Sequence, residues 1–298
     1  MSKTLVVTHV MPLELEMFER FISYYKNCFK YLDSNDDVTM YVTLNLNPKL
    51  TDWDNSELKQ QWFIDKFTQS MSGIRSHLQI IVDDSLWGTT QQKREVLKLE
   101  YDYFIFVDPD IAVNEHQLKL QLMAAENVRE RGSSFVISPN IPRWWDKTWD
   151  VLVHPEFLNE ELQQFRKEEV WNSTFTQSPD KVEIVSFNKF KFGCGMHTLY
   201  SKEFWNDVGG IPEEWGGYGS EDTYAMIIAD FLKDRQPIFQ YILKGLYITE
   251  DRREENRLPS FHDKIQVFDI KSDGKKNSEK KMKEVCISYL NSIGYHVI

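Results

Sequence analysis

Tyr103-Phe104-Ile105-Phe106-Val107-Asp108-Pro109-Asp110 is the stretch on which the reading of this chain turns. Five consecutive apolar residues, β-branched and aromatic, predict a short strand buried on both faces, as strands of parallel sheets are. The run then stops in two carboxylates separated by one proline. In an open α/β sheet, ligands sit beyond the carboxyl ends of the strands, which is where Asp108 and Asp110 would fall. Two acids that close repel each other unless a cation lies between them. Oxygen-only ligation at this spacing suits Mg²⁺ or Mn²⁺ held jointly with substrate phosphates. The same residues also make an ordinary Asp-Pro turn, since both are turn formers. A second acidic pair, Glu221-Asp222, tips the choice toward a site.

Working back from the strand, Leu5-Val6-Val7 predicts a first buried strand that ends at Thr8-His9. Leu15, Phe18, Phe21, Ile22, Tyr25 and Phe29 then recur at helical spacing. Residues 38–44 read as a second strand, 58–70 as a helix, and 78–82 as a third strand closed by Asp83-Asp84. Residues 91–100 form a polar helix carrying Lys93 and Arg94. Strands alternating with helices imply βαβ units and a mainly parallel sheet. Residues 1–111 therefore read as a nucleotide-binding half.

Working forward, residues 114–131 predict a covering helix and 135–138 a short strand. Trp144, Trp145 and Trp149 lie among prolines and charges, which offers a stacking surface for a sugar ring or a base. A charged helix over 158–171 and a strand over 182–187 follow. Glycines flank Cys194, which suits a tight bend or close approach of backbone to a ligand. Cys194 itself reads as a small buried residue, because no base is spaced to activate it. Trp215-Gly216-Gly217-Tyr218-Gly219-Ser220-Glu221-Asp222 is a glycine-rich aromatic loop running straight into a helix start. Ser220 is a natural N-cap, and acids in the first turn favour the positive end of the dipole. That accounts for the acids but not for the glycines. Residues 238–248 read as a last strand or pair of strands, and the lysine-rich tail from Lys271 as a helix.

Composition bounds the function classes. At 298 residues with 41% hydrophobic and 14% aromatic content, the chain can bury a large core. A net charge of −11 argues against non-specific affinity for nucleic acid or anionic membrane. The three cysteines, Cys28, Cys194 and Cys286, are widely spaced and show no zinc or disulfide pattern, so a cytoplasmic location is expected. No stretch has the length of a membrane span.

In this order the motifs resemble those of nucleotide-sugar-dependent glycosyltransferases of the GT-A fold, over residues 4–262. Asp108-Pro109-Asp110 resembles their DxD motif. Trp215 to Asp222 resembles the loop of the β-1,4-galactosyltransferase group and the ED motif of related inverting enzymes. The resemblance implies an α/β fold, a single GT-A-like domain over 1–262 with an acceptor half at 112–262, and a helical extension over 263–298. It implies a Mn²⁺ or Mg²⁺ cofactor and a nucleotide-sugar donor, with a UDP-sugar as the default. Asp110 and Asp108 would hold the metal, with His262 completing the site, and Asp108 would also reach the ribose. Asp83 would contact the base, while Thr8, His9 and Arg94 would supply further nucleotide contacts. Trp215 and Gly217 would line the donor. Asp222 would be the general base, with Glu221 on the sugar or acceptor. The acceptor would be a glycan or another hydroxyl, a modified base in DNA included. The loop lacks the second tryptophan and third acid of the galactosyltransferase motif, so the donor sugar does not carry over. A nucleotidyltransferase shares the strand-end acids, but Thr8-His9-Val10-Met11-Pro12 lacks the basic, glycine-rich phosphate loop it would need. A non-catalytic sugar-binding protein is the third reading, and acids at both motifs speak against it.

Overall fold

The structure, a computed structural model, describes residues 2–47, 56–82, 88–139, 142–144, 182–187, 190, 197–217, 219–246, 248–250 and 267–296. In the first half, strands β1 (Lys3–Val10), β2 (Asp37–Asn45), β3 (Ser76–Ile81) and β4 (Tyr103–Val107) alternate with helices α1 (Leu15–Lys30), α2 (Glu57–Ser70) and α3 (Thr89–Val96). Then come β5 (Ile111–Ala112), α4 (Gln117–Arg129), β6 (Ser134–Pro139), β7 (Pro142–Trp144), β8 (Glu183–Phe187) and β9 (His197–Ser201). The described chain finishes with α5 (Lys202–Asp207), α6 (Glu221–Leu232), β10 (Ile238–Lys244), β11 (Ile248–Glu250) and α7 (Val267–Ser292).

Eight strands form one sheet in the order β3-β2-β1-β4-β9-β6-β10-β8. The first four are mutually parallel; β9 runs against both β4 and β6, β10 is parallel to β6, and β8 is antiparallel to β10. Six strands thus point one way, and the expected mainly parallel α/β sheet is what the chain builds. The second sheet is small, β5-β11-β7, and it starts directly after the Asp108-Pro109-Asp110 turn.

Strand β4 lies in the middle of the large sheet with all five residues buried. Phe104 and Phe106 enter one core with Tyr200, Trp205, Trp215 and Tyr224. Tyr103, Ile105 and Val107 enter the other, beneath Phe18 and Tyr25 of α1 and Leu118 of α4. Both faces of this strand are interior, which is why no polar residue interrupts the run. Truncating a ring such as Phe106 to alanine would cost about 3–5 kcal/mol.

The sequence reading misses β9 and α5. His197, Thr198 and Ser201 break the apolar pattern of β9, yet every one of its residues is buried. Its polar groups are absorbed locally: Thr198 pairs with Ser138, and Ser201 Oγ accepts from the Phe204 amide, capping α5. His197 is different. Both ring nitrogens lack a partner among the described residues, as does the hydroxyl of Tyr25, whose ring stacks nearly parallel to the imidazole. The C-terminal helix α7 begins before Lys271 and buries Cys286 and Leu290 in the core that holds Trp215. Tyr289 of α7 donates to the Asp207 carbonyl at 2.8 Å. Among the described residues no helix is long and apolar enough to cross a membrane. The tryptophan cluster's side chains, the helix expected at 158–171 and Cys194 lie outside the described residues.

Candidate active site

The site is organised by α3, a helix with almost no apolar residues. Thr90, Gln92, Arg94 and Val96 are all buried, so three polar side chains are held inside the protein. A buried polar group has to find a partner, and each of these finds one on a different segment. Gln92 Nε2 donates to the Thr8 carbonyl at the end of β1 (2.6 Å) and to Thr43 Oγ1 on β2 (2.8 Å). Thr90 Oγ1 donates to Glu221 Oε2 (3.0 Å) and accepts from the Gly219 amide (2.9 Å). The first turn of α3 is capped from the same loop, for the Gly217 carbonyl accepts from the amides of Thr90 and Gln91.

Arg94 holds the other end of the loop. Its guanidinium donates to the carbonyls of Ile211 (3.1 Å), Pro212 (2.8 Å) and Gly216 (3.2 Å), and also to Gln91 Oε1. Only a planar fork of five donors reaches three carbonyls at once. Trp215 is turned inward at 2% exposure, edge-on to Tyr224 with ring centroids 6.0 Å apart. Its packing explains one of the glycines: a Cβ on Gly219 would lie 2.5 Å from Trp215 Cβ. The chain must pass that close for Ser220 to enter α6, so no side chain fits. Ser220 occupies the N-cap position, but its side chain makes no capping bond to the helix amides.

Lys93 is the residue on which the two acidic motifs meet. Its Nζ lies 2.5 Å from Glu221 Oε1, with both side chains largely buried, and 5.3 Å from the centre of the Phe106 ring on β4. Burial works to lower the ammonium's pKa. Glu221, then Asp222 and Asp108, more than offset this and hold it above its ordinary value. Asp108 at the end of β4 and Asp222 in the first turn of α6 therefore act on one cation. Asp222 itself is raised above the usual carboxylate range by burial and by its neighbour Glu221, with Lys93 and the Thr223 amide pulling the other way. The Thr223 amide donates to Asp222 Oδ1 at 2.7 Å. A carboxylate raised in this way is a better proton acceptor near neutral pH.

Asp110 is 8% exposed in the turn that leads into β5. Glu250 of β11 is the register partner of Ile111, so the end of β11 lies beside this turn. His262 and Asp83 lie outside the described residues. Among the described residues no group of three or more His, Cys, Asp or Glu side chains is assembled as a metal cage. Asp108 and Asp110 are the two hard carboxylates that this turn would offer a cation. That donor set suits a divalent ion that keeps waters and substrate phosphates as its other ligands. Thr8 and His9, both buried, close the same edge of the sheet at the end of β1.

No protein-family model and no curated protein sequence matches the chain. Solved structures do. S. aureus TarS 1-349 in complex with UDP-GlcNAc is 13% identical, over 85% of this chain and 59% of that one, with a TM-score of 0.50. The mannosyltransferase PcManGT from Pyrobaculum calidifontis, in complex with GDP-Man and Mn²⁺, is 11% identical over 85% and 58%, also at 0.50. The likeness is one of fold. The chain spans less than three fifths of the length of either protein.

Of the residues singled out from sequence, Glu221 pairs with Lys93 and Asp222 follows it in the same turn, and Gly217 and Thr8 are joined to the same helix. Arg94 and Trp215 serve the loop's own architecture. Thr90 and Gln92 have no place among those singled out, and Lys93 enters the sequence reading only as a charge on a polar helix. The signal for them was present: a helix between two predicted buried strands that has no apolar stripe must bury polar groups, and those need partners.

Proposed function

We propose that this protein is a metal-dependent glycosyltransferase that moves a sugar from a nucleotide-diphosphate donor to an acceptor hydroxyl with inversion. The observation that carries this is that Lys93 pairs with Glu221 while lying over Phe106 of β4, which brings the Glu221-Asp222 pair to the edge of the sheet where β4 ends in Asp108. The shared fold with proteins solved with UDP-GlcNAc and with GDP-Man and Mn²⁺ supports the donor class. A divalent ion at Asp108 and Asp110 would supply positive charge to the departing diphosphate. Asp222 takes the proton of the acceptor hydroxyl as that oxygen bonds to the anomeric carbon. The bond to the donor phosphate oxygen breaks, and its electron pair leaves with the nucleotide diphosphate. Glu221 contacts the sugar or acceptor, and Thr8 and His9 contact the nucleotide. Arg94, Trp215 and Gly217 act by setting the loop's shape, and a UDP-sugar is the first donor to try.

The test is donor hydrolysis and transfer by purified protein across a panel of nucleotide sugars, with and without Mn²⁺. Asp110→Ala is expected to abolish the metal-dependent turnover, and Asp222→Asn to abolish transfer while donor binding survives. Since Asp222 must be ionised to accept a proton, activity should fall on the acid side at a higher pH than an ordinary carboxylate would give. Full activity in both variants would overturn the assignment.

A further inference from the structure

Lys93 stands outside every role assigned so far, yet it links strand β4 to the acidic pair at the start of α6. It projects from α3, crosses the face of Phe106 two residues before Asp108, and ends on Glu221 at the start of α6. Thr90, one turn earlier, holds the other oxygen of the same carboxylate. Glu221 is thereby fixed at both oxygens by one helix, and its neighbour Asp222 takes its position from that anchorage. Breaking such a buried pair leaves an unpaired carboxylate in the interior, which is strongly unfavourable.

We infer that Lys93 is a positioning residue for the reaction proposed above, one that anchors Glu221 so that Asp222 is presented to the acceptor. The inference rests on the proposed function for its kinetic consequence and on geometry alone for its structural one. Charged groups bearing on Asp222 are Glu221 on its own helix and Lys93 on α3, which also carries the influence of Asp108. Removing the cation leaves the two α6 acids to repel each other. Asp222 should then titrate at a higher pH than in the wild type.

Two measurements separate the inference from the reading beneath it. In metal-free protein, carboxyl carbon NMR should show Asp222 titrating about 1 unit higher in Lys93→Met than in wild type. In donor-saturated kinetics, Lys93→Met should lower kcat about tenfold or more, with donor KM changed far less, and should carry the acid limb of the pH profile upward by the same shift. Lys93→Arg, which keeps the charge against Glu221, should recover most of kcat and return the Asp222 titration toward wild type. It also keeps the test alive should the methionine variant not fold. Unchanged titration and kcat in Lys93→Met, or an arginine variant as impaired as the methionine one, would overturn the role of Lys93. If wild-type protein turned over no donor, the proposed function would fall, and the titration would still decide whether Lys93 governs Asp222.

Discussion

Acidification tests the interior directly through His197. The residue is wholly buried, and burial drives its imidazole from the ordinary 6.5 to about 3. Its pKa is lowered on folding, so between those two values the unfolded chain binds more protons than the native one. Stability therefore rises with pH across the window and is lost as pH falls below about 6.5. At about 1.4 kcal/mol per unit, His197 alone removes about 3 kcal/mol by pH 4, a large share of the 5–15 kcal/mol typical of a folded domain. The comparison is with His197→Phe, an apolar ring of similar shape beside Tyr25. It discards two unpartnered nitrogens and should be at least as stable at neutral pH. Urea unfolding of both proteins at steps from pH 7 to pH 4 gives the difference. Carboxylates that titrate in both proteins cancel, and the gap should widen toward acid to about 3 kcal/mol. Parallel curves would show that His197 is not held neutral in the interior, and the packing of β9 under α1 would have to be redrawn.

Two further substitutions probe how the loop and the C-terminal helix are held. Gly209 sits at φ +82° with the Tyr289 ring where a Cβ would be, so Gly209→Ala meets both backbone strain and a clash with α7. We expect a loss of about 2–4 kcal/mol, read as a lowered Tm, and only partial recovery in the double variant with Tyr289→Ala, which relieves the clash but not the strain. Arg94→Lys keeps a positive charge but cannot reach three carbonyls. A loss of about 2 kcal/mol, with faster amide exchange over residues 211–219, is expected, and unchanged exchange would refute the clamp.

The central strands β1 and β4 are legible because they are apolar for the reason that makes them central. Strand β4 shows five apolar residues in sequence and five buried residues in the fold. The helical stripe of Phe18, Phe21, Ile22 and Tyr25 is likewise the buried face of α1. Strand β9 is hidden because His197, Thr198 and Ser201 are polar yet buried, and periodicity registers only the hydrophobic half of burial. For the same reason α3 reads from sequence only as a polar helix. Its threonine, glutamine, lysine and arginine are inside because β1, β2, the 211–219 loop and α6 each offer them a complementary group.

The convergence of the two acidic motifs follows from topology, through a step the sequence reading did not take. Strand β10 lies parallel to β6, and both run in the direction of β4, with β9 reversed between β4 and β6. A helix that crosses over into such a strand must start at the edge where its parallel neighbours end. Helix α6 leads into β10, so its first turn, Glu221-Asp222, is delivered to the edge at which β4 releases Asp108. The loop from 209 to 220 then only has to stop that helix from starting elsewhere, and it is this task that Arg94, Gly219 and the capping of α3 perform. An added residue between Gly219 and Glu221 would turn the first turn of α6 by about 100° and carry the Asp222 carboxylate away from Lys93. Such an insertion should leave the sheet intact by circular dichroism while lowering transfer as far as Asp222→Asn does. Activity that survived it would mean that the base lies elsewhere.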